Sequence, residues 1–314
     1  MSDDSRYEIS YGKLCVPLYR VYARPLTGIA PIPESAFAGR GNQLVAMEVD
    51  VEVFGNNFLP AYTAGDNSMV VATDSMKNIV LHQALDYDGA TLEGYLDHLG
   101  HYLLAHYPQM QALRVAAREL PFDAVSIPAT GGGFVPSDTL FANTRGDAAT
   151  AQCVFARDNQ GQTQLNSCSS GLTGMRLLKV TGSAFTRFVR DANTTLPERG
   201  DRPLYVFMDV AWTYTSARDA LAPGSTRYVP VEQVRDLLHV TFAGFVSESI
   251  QHLVHEMGRR LLARFPQLDS VSFAAQNHTP DPIVISEADP KRKVYASAFP
   301  AFGSIQLTMR RESE

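Results

Sequence analysis

LLAHYPQMQALRVAARE (Leu103–Glu119) and LLARFPQLDSVSFAAQN (Leu261–Asn277) align without a gap, and that alignment decides how the chain is organised. Seven of the seventeen positions are identical, and Tyr107/Phe265, Met110/Leu268 and Leu113/Val271 match in kind. The offset of 158 residues is close to half of the 314-residue chain. A repeat with a half-chain period points to a duplicated domain rather than to a many-unit solenoid, and 314 residues is a natural length for two domains.

The surroundings of the two segments also correspond. Ahead of the first, Leu92, Tyr95, Leu96, Leu99, Tyr102 and Leu103 fall on one helical stripe, with Thr91 as N-cap. Ahead of the second, Ile250, Leu253, Val254, Met257, Leu261 and Leu262 repeat the spacing, with Ser247 or Ser249 as cap. Both helices are predicted to stop near a proline, Pro108 and Pro266, with a strand beyond it. Upstream lie the alternating, β-branched-rich runs LVAMEVDVEVFG (Leu44–Gly55) and PLYVFMDVAWTYT (Pro203–Thr215). Neighbouring strands followed by a long helix predict an α+β fold, with antiparallel sheets covered by helices on one face. The expected domains are residues 8–150 and 151–312. Thr130–Ala149 (TGGGFVPSDTLFANTRGDAA) and the proline-containing Thr279–Lys293 are predicted as loops.

Composition narrows the function. Apolar residues make up 45% and charged residues 19%, enough to fill cores and too apolar for a disordered chain. Twenty-seven basic against thirty-three acidic residues give a formal charge of −6, which argues against nucleic-acid binding along a basic face. No apolar run approaches the roughly 18 residues of a membrane span. The polar, acidic start MSDDSRYEIS is unlike a signal peptide, and the RRESE end carries no peroxisomal or retrieval signal. Cys15, Cys153 and Cys168 form no CxxC pair, so a reduced compartment, the cytoplasm, is expected.

Most chemical motifs are weak. His98/His101 and His252/His255 sit at i, i+3, but HLVHE is not HExxH and no cysteine stands in ligand spacing, so solvated helix histidines are expected. There is no GxSxG, and TGGGF lacks the Lys-Ser/Thr of a phosphate loop, which leaves a glycine-rich hinge. VVATDSMKN (Val70–Asn78) is more informative: an apolar run ends at Thr73-Asp74-Ser75, all N-cap types, before a helical stretch. Such a helix start presents unpaired N–H groups and a positive dipole end to an anion, and Ser249-Ile250-Gln251 offers a second one. Lys13 and Arg202 read by default as surface charges, and Phe185 as core.

These segments together resemble the urate oxidase (uricase) family. SYGK (Ser10–Lys13), DNSMVVATDSMKN, SGLTGMRLLKVTGSAFTRFVRDANTTLPERGDR, Ser249-Ile250-Gln251 and Gln276-Asn277-His278 match its blocks in order. The resemblance implies two tandem tunnelling-fold domains, each a four-stranded antiparallel sheet with two helices, closing into β-barrels between subunits of a homotetramer. It also implies oxidation of urate by O2 to 5-hydroxyisourate and hydrogen peroxide, without a metal or organic cofactor, and the missing peroxisomal signal favours a bacterial cytoplasm.

Carried over position by position, the resemblance makes Lys13 and Thr73 a proton-relay pair. Phe185 becomes the aromatic that stacks on the purine and Arg202 the fork onto its anionic edge. Gln251 reads the opposite edge beside the Ile250 backbone, Asp74 acts through its N–H, Leu196 walls the pocket, and Asn277 holds O2 or water. The family pattern Asn-x-His is here Asn277-His278-Thr279: an ungapped alignment puts Thr279 in the third catalytic position, and His278 fills it with a shift of one residue. His278 is the assignment carried forward. Two other readings stand beside this one, another tunnelling-fold purine or pterin enzyme and a non-catalytic purine-binding protein.

Overall fold

Alternation along Leu44–Phe54 builds the first layer. Val49, Val51 and Val53 are fully buried, whereas Glu48, Asp50 and Glu52 between them stay half-buried on the other face. The computed structural model describes residues 7–221, 227–278, 280–296 and 301–311. In its first half the elements are β1 (Ser10–Val21), β2 (Leu44–Phe54), α1 (Leu59–Thr63), α2 (Thr73–Asp86), α3 (Leu92–His106), β3 (Ala112–Glu119), β4 (Phe122–Pro128), β5 (Phe134–Asn143) and β6 (Ala148–Arg157). The second half follows with β7 (Thr163–Lys179), β8 (Leu204–Tyr214), α4 (Ala217–Leu221), α5 (Val231–Gly244), α6 (Ile250–Arg264), β9 (Leu268–Asn277), β10 (Asp281–Ile285), β11 (Lys293–Ala296) and β12 (Gly303–Arg310). The fold is α+β with antiparallel strands, as the sequence pattern predicts.

The duplication is visible element by element. Thr73–Asp86 and Val231–Gly244 stand 158 residues apart at both ends, and so do Leu92–His106 and Ile250–Arg264. Each half also inserts one two-stranded hairpin, β4–β5 or β10–β11, before its last strand.

The chain forms two compact units. The first contains Phe37–Gly171 with β1 before it and Thr213–Val229; the second contains Leu172–Trp212, the chain from Pro230 on and the short Ile32–Ala36. In the first unit the strands run β1-β2-β3-β6, with the opening part of β7 beside β6; in the second they run β7-β8-β9-β12. Residue 150 falls inside β6, and the passage between units comes at Gly171, within β7.

In each unit one sheet face carries the core. Pairing of Val49, Val51 and Val53 with Ala117, Val115 and Leu113 presents an apolar surface to Leu96, Leu99 and Leu103 of α3. Val206, Met208, Val210, Val271, Phe273 and Ala275 do the same under Leu253, Met257 and Leu261 of α6. Each Val, Leu, Met or Phe side chain among these, fully buried, is worth about 1.5–3 kcal/mol. The opposite faces are polar: Arg114 meets Glu52, Arg118 lies 3.8 Å from Glu48, and Thr173 donates to Asp209 at 2.9 Å.

Several local expectations are corrected. The Gly131–Gly133 run is the turn of a hairpin, closed by Ala129 N–H to Gly133 C=O at 3.1 Å, and Phe134–Asn143 is strand rather than loop. Thr279–Lys293 likewise contains β10, which pairs with β11; Thr279 itself lies outside the described residues. In the first case the glycines mark only the turn, and in both a proline, Pro136 or Pro282, stands within a strand that finds a partner strand. His98 is half-buried on Gln83, with Nε2 2.8 Å from Oε1, rather than solvated; His101 is exposed. All three cysteines are free, and the Cys153 and Cys168 sulfurs lie 3.0 Å apart in the core.

The helices sit close to their sheets because the same repeat position, Gly100 and Gly258, carries no side chain. A Cβ at Gly100 would stand 2.3 Å from the Phe155 ring, and one at Gly258 would stand 2.5 Å from the Met309 sulfur. Replacing either by alanine gains up to about 1 kcal/mol of helix propensity but overpacks the contact. Phe155 is a rigid, fully buried ring, whereas Met309 is a flexible, half-buried chain. Gly100→Ala is therefore expected to lower stability by about 1–3 kcal/mol, with Gly258→Ala near neutral. Urea midpoints of the two variants check this, and equal midpoints would contradict it.

Candidate active site

The first group of candidate residues gathers where β1 meets the start of α2. Gly12 pairs with Glu52 so closely that a Cβ there would stand 2.0 Å from the Val51 carbonyl oxygen. Only glycine lets β1 approach β2 at that point. Lys13 pairs with Val51, and the register slips immediately after it, before Val16. Within that bulge Cys15 takes φ +55° and its N–H donates to Asp50 Oδ1 at 2.6 Å. A bulge re-aims the neighbouring side chains of its strand. Tyr11 then ties the strand to the helix: its hydroxyl accepts from Val71 N–H at 3.0 Å, and its ring meets Phe58 edge-on at 5.1 Å.

Helix α2 begins differently from the sequence expectation. Its N-cap is Ala72, and no side chain caps it; Thr73 is already the first helical residue. The first helical bond runs from Met76 N–H to Ala72 C=O, at 3.2 Å. The N–H groups of Thr73, Asp74 and Ser75 therefore have no acceptor inside the helix, and the Thr73 hydroxyl is not used as a cap. The Asp74 carboxylate is occupied by Lys77, 2.6 Å away, and by Asn78. Lys77 holds it below the usual carboxylate range, and the positive charge of Lys13 acts in the same direction. Asp74 thus has its N–H, not its carboxylate, free for a ligand.

The second group belongs to the other unit. Phe185 and Arg199 exchange backbone bonds of 2.8 and 3.0 Å, and Arg202 N–H donates to Ser183 C=O at 2.8 Å. This sets the Arg202 guanidinium 5.3 Å from the centroid of the Phe185 ring, which stacks on Phe188 at 4.8 Å. Arg202 Nε is buried without a hydrogen-bond partner among the described residues. Burial, and then the charge of Arg199, push the Arg202 pKa below its ordinary value, with Asp281 opposing. A half-buried cation with a buried, unpartnered Nε and no carboxylate partner of its own favours an anion beside it. Leu196 and Arg202 line one cavity of about 120 Å³ with Asp201, Asp281, Lys293 and Tyr295.

Ile250 and Gln251 open α6. Here the cap is Ser249, whose hydroxyl accepts from His252 N–H at 3.1 Å; Ser247 instead bonds Ser183, at 3.3 Å. Ala184 N–H donates to Ser247 C=O at 2.7 Å, which draws the Phe185 segment to this helix start. Ile250 is buried and Gln251 is exposed. Asn277 ends β9 opposite Gly303. His278 leaves the strand with its N–H on Tyr205 C=O and its ring stacked on Phe207 at 4.1 Å, while Nε2 lies 3.1 Å from Gln276 Oε1. Phe302 packs on the same ring at 5.0 Å. Thr279, the other candidate for the third catalytic position, lies outside the described residues.

Sequence reasoning missed Tyr11 and Asp201. Tyr11 stands inside the quoted SYGK, so its block could have drawn attention to it. Asp201 acts through contacts about twenty residues back along the chain, which no local pattern reveals. Among the described residues no group of three or more His, Cys, Asp or Glu could hold a metal ion, and no helix is long and apolar enough to cross a membrane.

A family model described as Uricase matches residues 49–152 and 168–306. A uricase of Haloferax volcanii is 48% identical over 86% of this chain and 88% of its own length. The uric acid degradation bifunctional protein PucL of Bacillus subtilis is 41% identical over 97% of this chain and 61% of its own length. The crystal structure of the urate oxidase of Bacillus sp. TB-90 superposes with a TM-score of 0.94 at 38% identity, covering 97% of this chain and all of the other. The family match runs through both halves, and it takes in the uncapped helix start at Thr73 and the lone cation at Arg202 alike: the chain belongs to the uricase family.

Proposed function

We propose that the chain is a urate oxidase that converts urate, O2 and water into 5-hydroxyisourate and hydrogen peroxide, with no metal or organic cofactor. The observation that carries this reading is Arg202, a half-buried guanidinium whose buried Nε has no hydrogen-bond partner among the described residues, beside the Phe185 ring in a member of the uricase family. A flat anionic heterocycle satisfies both: its π face stacks on Phe185 and its acidic edge pairs with the cation. Gln251 complements the opposite edge with its amide, beside the Ile250 backbone, and Leu196 closes the wall. The open N–H of Asp74 and the hydroxyl of Thr73 meet the ring at the other helix start. Thr73 both donates and accepts, so it passes a proton between urate and Lys13. Asn277 holds O2 or water over the ring, with His278 as the third member of the relay.

In the same proposal the two halves are tandem tunnelling-fold domains of a cytoplasmic homotetramer. β1, at the edge of its sheet, is twelve residues long and exposes Leu14, Tyr19 and Val21. A long apolar edge of this kind is a liability in a monomer, and closure into a barrel between subunits removes it. One subunit then supplies Lys13 and Thr73 to each pocket, and its neighbour supplies Phe185, Arg202 and Gln251.

The purified protein, with no metal or cofactor added, is expected to consume urate and O2 and release peroxide in equal amounts. Loss of that activity to a chelator alone would contradict the reading. Lys13→Ala and Thr73→Ala should lower kcat by about 10²–10⁴-fold, the span of a lost general acid–base group. Arg202→Ala and Gln251→Ala should raise KM as well. Wild-type turnover in Lys13→Ala would remove that residue from the relay, and of His278→Ala and Thr279→Ala, the variant with the lower kcat at equal stability marks the third position. Mixing Lys13→Ala and Arg202→Ala subunits after dissociation should regenerate intact pockets, up to about half of those shared in a hybrid dimer. No recovery, despite proven exchange, would place the whole site within one chain.

A further inference from the structure

Arg202 lacks a side-chain partner at Nε, so its position depends on its backbone. That backbone is clamped to the segment that carries Phe185. Arg202 N–H reaches Ser183 C=O, and Phe185 and Arg199 exchange two backbone bonds. One member of the clamp is a side chain. Asp201 Oδ1 accepts from Gly182 N–H at 2.7 Å and Oδ2 accepts from the Thr181 hydroxyl at 2.7 Å. Asp201 thereby closes the twenty-residue excursion between Thr181 and Arg202 at its neck, next in sequence to Arg202 and, through Gly182, to Ser183, whose C=O takes the Arg202 N–H.

We propose that Asp201 is a positioning residue for urate: its carboxylate, bound to Thr181 and Gly182, holds the Arg202 guanidinium against the Phe185 ring. The inference rests on the urate oxidase reading above. Both carboxylate oxygens are engaged by the chain, so Asp201 acts through its neighbours and not on the substrate. The remaining bonds of the clamp join backbone to backbone and survive any side-chain change, so Asp201 is the member a substitution can remove. These bonds also hold its carboxyl below the usual carboxylate range, Thr181 first, and Lys293 on the cavity wall acts in the same direction. The carboxylate is therefore ionised, and the clamp closed, throughout the neutral range.

The test is binding of urate without O2, which separates affinity from turnover, together with kcat and KM in air. Asp201→Ala is expected to raise the anaerobic Kd for urate about tenfold, equivalent to about 1.4 kcal/mol, the scale of one charge-assisted hydrogen bond. Asp201→Asn should stay within about threefold of wild type, because its amide oxygen still accepts from Gly182 and the Thr181 hydroxyl can turn to accept from its NH2. In an Arg202→Ala background the Asp201→Ala effect should shrink to less than about threefold, since the guanidinium it positions is gone. Unchanged Kd in Asp201→Ala overturns the inference, and so does a fall in kcat alone, which would mean a merely destabilised fold. An undiminished tenfold effect in the Arg202→Ala background overturns it too. Failure of the wild-type protein to bind or oxidise urate is a separate result, and it removes the functional reading first.

Discussion

The close seating of α3 and α6 on their sheets is the constraint from which the rest of the architecture follows. Bare backbone at Gly100 and Gly258 lets each helix lie against the Phe155 ring or the Met309 side chain. At that separation the leucines of the helix face the buried valines of the strands beneath. A side chain at either glycine competes with dense core packing, which tolerates added volume poorly. Because the helices are rigid, seating them at mid-length also sets where their first turns end up. The segment before α6, at Ser249, is held by Ala184 N–H on Ser247 C=O, and the separate start of α2, at Ala72, is held from the strand side by Tyr11 on Val71.

Charge is distributed by the same alternation. Side chains turned away from the helices are ionic in the first unit, where Glu48 and Glu52 face Arg118 and Arg114, and polar in the second around Asp209. Partly exposed pairs of that kind add little stability, about 0–1 kcal/mol each, but they keep a sheet face wet. The exception is Arg202, half-buried and lacking a carboxylate of its own. Its unmet requirement costs free energy, which an anionic substrate on Phe185 would recover in the proposed function. Ion pairs elsewhere close the sheet face, whereas this cation keeps a place open.

Much of this was legible in the sequence because it rests on period and repetition. The 158-residue offset located both long helices, and the alternating runs Leu44–Gly55 and Pro203–Thr215 contain β2 and β8. Thr91 and Ser249 cap as their side chains suggest. The failures share one cause, partners distant in sequence. Phe134–Asn143 reads as loop until Phe122–Pro128 is beside it. Thr73, a good N-cap type, lies one residue inside the helix, because Tyr11 takes the Val71 amide and the turn begins at Ala72. Asp201 reads as a loop acid until Thr181 and Gly182 fold back on it.

The two halves, alike in elements, differ at their helix starts. Thr73 opens the first long helix of its half, α2, and its counterpart 158 residues on is Val231, which opens α5. Thr73 and Asp74 reach the surface, whereas Val231 is buried behind Pro230. At the second helix the pattern reverses. Gln251 is exposed, and its counterpart Glu93 is buried, accepting from the Ser170 hydroxyl at 2.5 Å and the Tyr228 hydroxyl at 3.3 Å. Burial pushes the Glu93 carboxyl up, toward a neutral group that serves the core. Each half therefore keeps one helix start open and closes the other, and it is a different one in each. A duplicated domain with identical open starts would offer two equivalent anion sites. With complementary starts, each half carries only part of the groups assigned to urate in the proposed function, which supports the proposal of a pocket completed by a neighbouring subunit.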